Sequence, residues 1–233
     1  MKQGLLPFCD RVAAGRALAA ALEHYRNRND VLVLALPRGG VPVAAEVAAA
    51  LGAGLDLIIV RKLGAPGHEE LAMGAIASGG VRVLNPHVIS SLGIRDTAIE
   101  EVAKREQREL ERREHAYRGA RPRPVIEGRC LILVDDGVAT GATMRAAIEA
   151  LRRQSPAKIV VAVPVAPPDT VKRLRSEADE VICLEAPELF MAIGQFYVEF
   201  TQLSDEAVRE QLANAWATLA GPSLARGRVD SSA

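Results

Sequence analysis

Leu131-Ile132-Leu133-Val134-Asp135-Asp136-Gly137-Val138-Ala139-Thr140-Gly141-Ala142-Thr143 changes character twice along its length. Four apolar residues form a strand buried on both faces, which is what a parallel sheet requires. Two carboxylates end the strand, and a turn of small and hydroxylated residues then opens a helix. In a parallel sheet this places the turn at the carboxyl edge, where open α/β folds bind ligands. Gly137 and Gly141 let backbone approach a ligand closely, while Thr140, Thr143 and the first helical N–H groups aim donors at an anion. Asp135 and Asp136 offer acceptors to vicinal hydroxyls. A phosphate at one end and a diol at the other describe ribose 5-phosphate. The plainer alternative is that the acids close the turn and Thr140 caps the helix.

The same alternation extends outward. Asp10 caps a helix running to about Arg26, with Val12, Leu18, Leu22 and Tyr25 at near-helical spacing. Strands follow at Val31 to Leu36 and Leu55 to Val60, separated by a helix at Val41 to Leu51. Beyond Leu131, helices from about Ala142 to Gln154 and Asp169 to Glu177 alternate with strands Ile159 to Val163 and Val181 to Leu184. Ser204 opens a last helix containing Val208, Leu212 and Trp216. The pattern predicts an α/β fold whose central, mainly parallel sheet of about five strands is flanked by helices.

An elaboration interrupts the second and third strands over residues 64–128. Its parts are a glycine-rich lid from Gly64 to Gly80, a hairpin of Met73 to Ala77 with Val81 to Leu84, a helix start at Asn85-Pro86, and a long polar helix from Arg95 to Arg118. That helix places Glu100 with Lys104, Glu101 with Arg105 and Glu109 with Arg113 at i, i+4. Its thin stripe of Ile99, Val102, Leu110 and Tyr117 reads as a solvated face or a dimer contact. Residues 1–220 are expected to form one domain with a hood at 185–203, and 221–233 a disordered tail.

Composition narrows the function. Lys and Arg number 29, as do Asp and Glu, and 49% of residues are hydrophobic. This excludes a disordered chain or a general nucleic-acid coat. Only 4 Phe, 3 Tyr and 1 Trp are available, too few for a base-stacking platform. Cys9, Cys130 and Cys183 form no CxxC pair, so no disulfide framework or cysteine zinc site is expected. His68, Glu69 and Glu70 read as an exposed turn rather than a metal site. With no apolar run of membrane length and no signal-peptide pattern, a soluble cytoplasmic protein is expected, without nucleic-acid or membrane partners.

The 131–143 run resembles the diphosphate-sugar motif of the type I phosphoribosyltransferase family, and the resemblance extends from about Leu32 to Leu184. Leu36-Pro37-Arg38-Gly39-Gly40 is similar to the family's pyrophosphate loop, although an ordinary tight turn would also explain its glycines. Val60-Arg61-Lys62-Leu63-Gly64 is similar to the Arg-Lys-x-Gly stretch of adenine-type members, with a solvated surface pair as the rival reading. The resemblance implies that phosphoribosyl pyrophosphate (PRPP) gives its 5-phosphoribosyl group to a small nitrogen acceptor, a nucleobase or a relative of one, releasing pyrophosphate.

It also implies roles. Asp135, Asp136, Gly137, Val138, Ala139, Thr140, Gly141, Ala142 and Thr143 would hold ribose 5-phosphate, and Arg38, Gly39, Gly40, Arg61 and Lys62 the pyrophosphate. Arg38, Lys62, Asp135 and Asp136 would be the catalytic groups. Mg²⁺ would be bound mainly through PRPP, with no direct protein ligand assigned. The position before Thr140 carries an acid in hypoxanthine and guanine members and is Ala139 here, which disfavours a 6-oxopurine acceptor. Phe196 and Tyr197 either stack on the acceptor under the hood or close the core. The family's habit favours a homodimer. Two rivals stand beside this reading: a PRPP-sensing regulator without catalysis, and an unrelated nucleotide binder, for which neither GxGxxG nor GxxxxGK[ST] is present.

Overall fold

The structure, a computed structural model, describes residues 6–220; the tail expected at 221–233 lies outside them. Asp10 takes an extended backbone and its carboxylate accepts from Ala13 N at 2.7 Å, which starts α1 (Arg11–Ala21). β1 (Val31–Ala35), α2 (Gly40–Leu51) and β2 (Gly54–Leu57) follow. Next come β3 (Val60–Ala65), β4 (His68–Ala77), β5 (Val81–Leu84), α3 (Pro86–Ser91) and α4 (Asp96–Arg118). The chain then alternates β6 (Cys130–Val134), α5 (Ala142–Arg152), β7 (Lys158–Val165), α6 (Pro168–Arg175) and β8 (Glu180–Glu185) before ending in α7 (Asp205–Ala220).

Five strands form a parallel sheet in the order β2-β1-β6-β7-β8. Every residue of β1 and of β6 is buried, because helices cover both faces. From β1 the chain moves first to one side, into β2, and later to the other, into β6. The crevice between the carboxyl ends of β1 and β6 is therefore the switch point at which doubly wound sheets bind ligands. This is the expected α/β architecture.

The second expected strand is divided. β2 stops at Leu57, and the chain passes through Ile58 and Ile59 into β3, the first strand of a separate antiparallel sheet β3-β4-β5. The stretch 64–80 is accordingly not a glycine-rich loop: β4 occupies most of it, and the chain turns only around Pro66-Gly67 and at 78–80. His68, Glu69 and Glu70 begin β4 and are exposed.

The long helix α4 is also less solvated than its composition suggests. Ile99, Val102, Leu110 and Tyr117 all join the core, so the stripe is a packing face and not a free dimer surface. Buried beside it, Arg118 donates from Nη2 to Asp56 Oδ1 on β2 at 2.7 Å and from Nη1 to Glu114 Oε1 at 3.2 Å, while Arg123 pairs with Glu114. Of the predicted i, i+4 pairs Glu109 with Arg113 forms at 2.8 Å, whereas Glu100 reaches across to Arg82. In the same core as α4, Trp216 of α7 donates to Leu55 O of β2 at 2.8 Å, with the Arg121 guanidinium 4.7 Å above its ring.

Candidate functional site

The turn after β6 is fixed from behind and open in front. Val138 buries its side chain in the core and donates its amide to Val165 O on β7 at 3.0 Å. Thr170, buried on α6, donates to Ala139 O at 2.7 Å. Gly141 adopts φ 78° immediately before α5, a left-handed conformation that favours glycine. Ala139, Thr140, Ala142 and Thr143 are exposed. Among the described residues the amides of Thr143 and Met144 have no backbone acceptor, so the start of α5 presents donors to solvent. Local pattern revealed the turn; nothing in it pointed to Thr170.

The two carboxylates have different surroundings. Asp135 keeps partial exposure and accepts from Asp136 N at 2.9 Å through Oδ1. Asp136 is buried, and its Oδ2 accepts from Arg11 Nε at 2.8 Å. Loss of solvent pushes both carboxyls above the ordinary aspartate range; the neighbouring charge adds to the rise at Asp135, and Arg11 opposes it at Asp136. The expectation that both acids face a diol is corrected on this point: Asp136 is committed to Arg11, and only Asp135 remains unclaimed by a cationic side chain among the described residues.

The glycines at 39 and 40 have a steric reason that the sequence did not show. A Cβ at Gly39 would lie 2.0 Å from Asp136 Oδ2, and one at Gly40 would lie 2.6 Å from Val134 O. Only a bare backbone lets the loop after β1 press against the end of β6, and that contact brings residues 36–40 beside residues 134–136. The Pro37–Arg38 peptide is cis. Arg38 stands at this edge, half-exposed, with Nη1 3.7 Å from Asp205 Oδ1. The same oxygen accepts from Tyr117 at 2.7 Å.

Arg61 and Lys62 separate. Neighbouring strand residues point to opposite faces: Arg61 turns to α4 and donates to Glu106 at 2.6 Å, whereas Lys62 lines a cavity of about 610 Å³ that Thr143 and Ala142 also line. Arg61 is thus withdrawn from the expected pyrophosphate set, its charge met by a carboxylate 45 residues away. Lys62 has only an exposed partner, Glu70 at 3.1 Å.

Phe196 and Tyr197 do not form an open stacking face. They are buried with Phe8, Ala14 and Val165, and Tyr197 donates to Asp136 O at 2.5 Å. The large apolar side chains this segment leaves exposed are Leu189, Met191, Val198 and, less so, Phe200. Ile193 crosses the turn after β6 closely enough that a Cβ at Gly137 would meet its Cγ2 at 2.7 Å.

A family model described as phosphoribosyl transferase domain matches residues 10–201. The chain belongs to the phosphoribosyl transferase family. Two curated Mycobacterium tuberculosis proteins, from strains CDC 1551 and H37Rv, carry the provisional name phosphoribosyl transferase; each is 49% identical over 201 residues, or 86% of this chain. The chain spans 45% of their length, so about half of each relative has no counterpart in it. The solved Thermus thermophilus protein TT1426 is 44% identical with a TM-score of 0.80, covering 90% of this chain and 99% of its own. The phosphoribosyltransferase fold is thereby shown. Among the described residues no helix is long and apolar enough to cross a membrane, and no group of three or more His, Cys, Asp or Glu side chains could hold a metal.

Proposed function

We propose that this phosphoribosyltransferase domain moves the 5-phosphoribosyl group of PRPP to a small nitrogen acceptor and releases pyrophosphate. The supporting observation is the open, donor-rich turn at 139–143, set at the switch point and faced by the loop at 36–40. In this reading the 5-phosphate sits on the amides of Ala139 to Thr143, and Asp135 takes the sugar hydroxyls. Arg38 and Lys62 flank the departing pyrophosphate, so the C1–O bond breaks toward cations as the acceptor nitrogen closes on C1. Asp136 supports this arrangement from beneath.

A divalent cation fits the donor set: Asp135 is an available carboxylate, and the ligand's own oxygens would complete the coordination. Mg²⁺ bound through PRPP would neutralise charge on the leaving group. The acceptor lies under residues 189–198, against Leu189 and Met191, and not on Phe196 or Tyr197. A cytoplasmic homodimer belongs to the same proposal, with its interface elsewhere than the stripe of α4.

Pyrophosphate release from PRPP and Mg²⁺, measured across purines, pyrimidines and other small nitrogen acceptors, tests the reading. Turnover with one acceptor class supports it. Tight PRPP binding without pyrophosphate release from any acceptor would assign the chain to sensing, and absence of PRPP binding would remove the reading altogether. Met191→Ser is expected to change the acceptor preference at unaltered PRPP affinity.

A further inference from the structure

Arg112 and Arg113, near the end of α4, share one carboxylate. Arg112 takes Glu109 with two bonds, Nε to Oε2 at 2.7 Å and Nη2 to Oε1 at 2.9 Å, while Arg113 takes it with one, Nε to Oε1 at 2.8 Å. A single negative charge thus meets two guanidinia, and positive charge is left over on this part of the helix. The two arginines differ in where they stand. Arg112 is exposed, whereas Arg113 is half-buried on the flank of the packing stripe, three residues after Leu110 and four before Tyr117. Its Nη1 and Nη2 carry no hydrogen bond among the described residues.

Arg113 stands at the crevice itself. A small cavity of about 40 Å³ is walled by Pro37 from the loop after β1, Thr143 from the start of α5, and Arg113 and Tyr117 from α4. It is too small for a sugar diphosphate, and what it establishes is adjacency: this turn of α4 lies where the loop at 36–40 meets the turn at 139–143. Tyr117 ties the same junction a second time, since its hydroxyl donates to Asp205, whose carboxylate faces Arg38. Arg38, Arg112 and Arg113 are set there against Glu109 and Asp205, so positive charge is in surplus. Arg61 adds nothing to it, being turned to Glu106. A 5-phosphate is met by the amides at the start of α5, whereas a departing diphosphate carries more charge and gains most from a forked cation. We propose that Arg113 is a further pyrophosphate-binding residue, whose two unengaged nitrogens take diphosphate oxygens beside Arg38, in the part expected of Arg61. The inference deepens the PRPP reading and rests on it.

Calorimetric titration of the full chain with PRPP, inorganic pyrophosphate and ribose 5-phosphate, each with Mg²⁺, tests this. Arg113→Gln is expected to lose about tenfold in affinity for PRPP and for pyrophosphate, and to keep ribose 5-phosphate within about twofold of wild type. Arg112→Gln deprives Glu109 of a partner in the same way but does not reach the cavity, and is expected to bind all three as wild type does. Equal losses in the two variants would show that the effect passes through Glu109 and the helix, and would overturn the proposal. A loss for ribose 5-phosphate as large as that for pyrophosphate would move Arg113 to the sugar-phosphate turn and overturn it too. Should Arg113→Gln not fold, Glu109→Gln carries the test: it keeps the cation and removes its counter-charge, so pyrophosphate should bind about threefold more tightly. An affinity unchanged or lowered in that variant would refute the role. A wild type that binds neither PRPP nor pyrophosphate would sink the PRPP reading and this inference with it, whereas a wild type that binds both and is matched by Arg113→Gln would sink the inference alone.

Discussion

The two sheets of this protein handle polar residues in opposite ways. In the parallel sheet the central strands β1 and β6 are buried on both sides, so their polar, solvent-facing neighbours appear only where a strand ends. Asp135, Thr140 and Arg38 all stand at such ends. In the antiparallel sheet β3-β4-β5, polar residues sit within the strands and alternate between faces, so Arg61 serves α4 while Lys62 lines the cavity. Position along the chain thus indicates role in the first sheet, but in the second the partner across the sheet decides it.

The largest expected effect concerns the joint between the sheets. Arg118→Met leaves Asp56 buried without its cation and Glu114 with Arg123 alone, which should cost about 3–5 kcal/mol in chemical denaturation. A loss below about 1 kcal/mol would mean that the two sheets are not joined there. Next comes the edge of the parallel sheet. Asp136→Asn strands Arg11 and should destabilise by about 3 kcal/mol, whereas Asp135→Asn should stay within about 1 kcal/mol of wild type yet lose about tenfold in PRPP affinity. If the two variants behave alike, the acids share one role and the contrast between them is wrong.

The antiparallel sheet offers a smaller version of the same contrast. Arg61→Gln is expected to lower stability by about 1 kcal/mol at an unchanged rate of pyrophosphate release, while Lys62→Gln should slow release about tenfold with melting unaltered. Reversed outcomes would exchange the two faces. The smallest effect appears in alkali. Burial, helped by Glu180 for Tyr25 and Asp205 for Tyr117, pushes these hydroxyls up to about 12, and burial beside Asp136 raises Tyr197. All three tyrosines of the chain therefore keep their protons in the folded state above pH 10, where the unfolded chain releases them. Stability should be undiminished below pH 10 and fall as the pH rises from there to about 12. Tyrosinate absorbance appearing near pH 10 in the folded protein would contradict this.

Legibility in the sequence follows the range of the determining contacts. Runs such as Leu131 to Val134 identified the parallel sheet because burial on both faces needs no distant information. The turn at 135–143 was readable because a helix start, its glycine and its hydroxyls are neighbours in the chain. Arg11 and Asp136 are 125 residues apart, and no local pattern links them. The purpose of Gly39 was hidden for the same reason, since what it accommodates is a carboxylate on another strand. Phe196 and Tyr197 look alike whether they floor a hood or fill a core, and only the packing of Phe8 against them separates the two.

The bond from Trp216 to β2 has a practical corollary. This indole is the chain's one tryptophan, and α7, which bears it, also carries Asp205, the tether of Arg38. Its emission consequently gauges the seating of a single helix and, through it, the anchorage of the loop at 36–40. A change in that fluorescence, obtained with no label and no substrate, would tell when this anchor slips before the rest of the molecule melts.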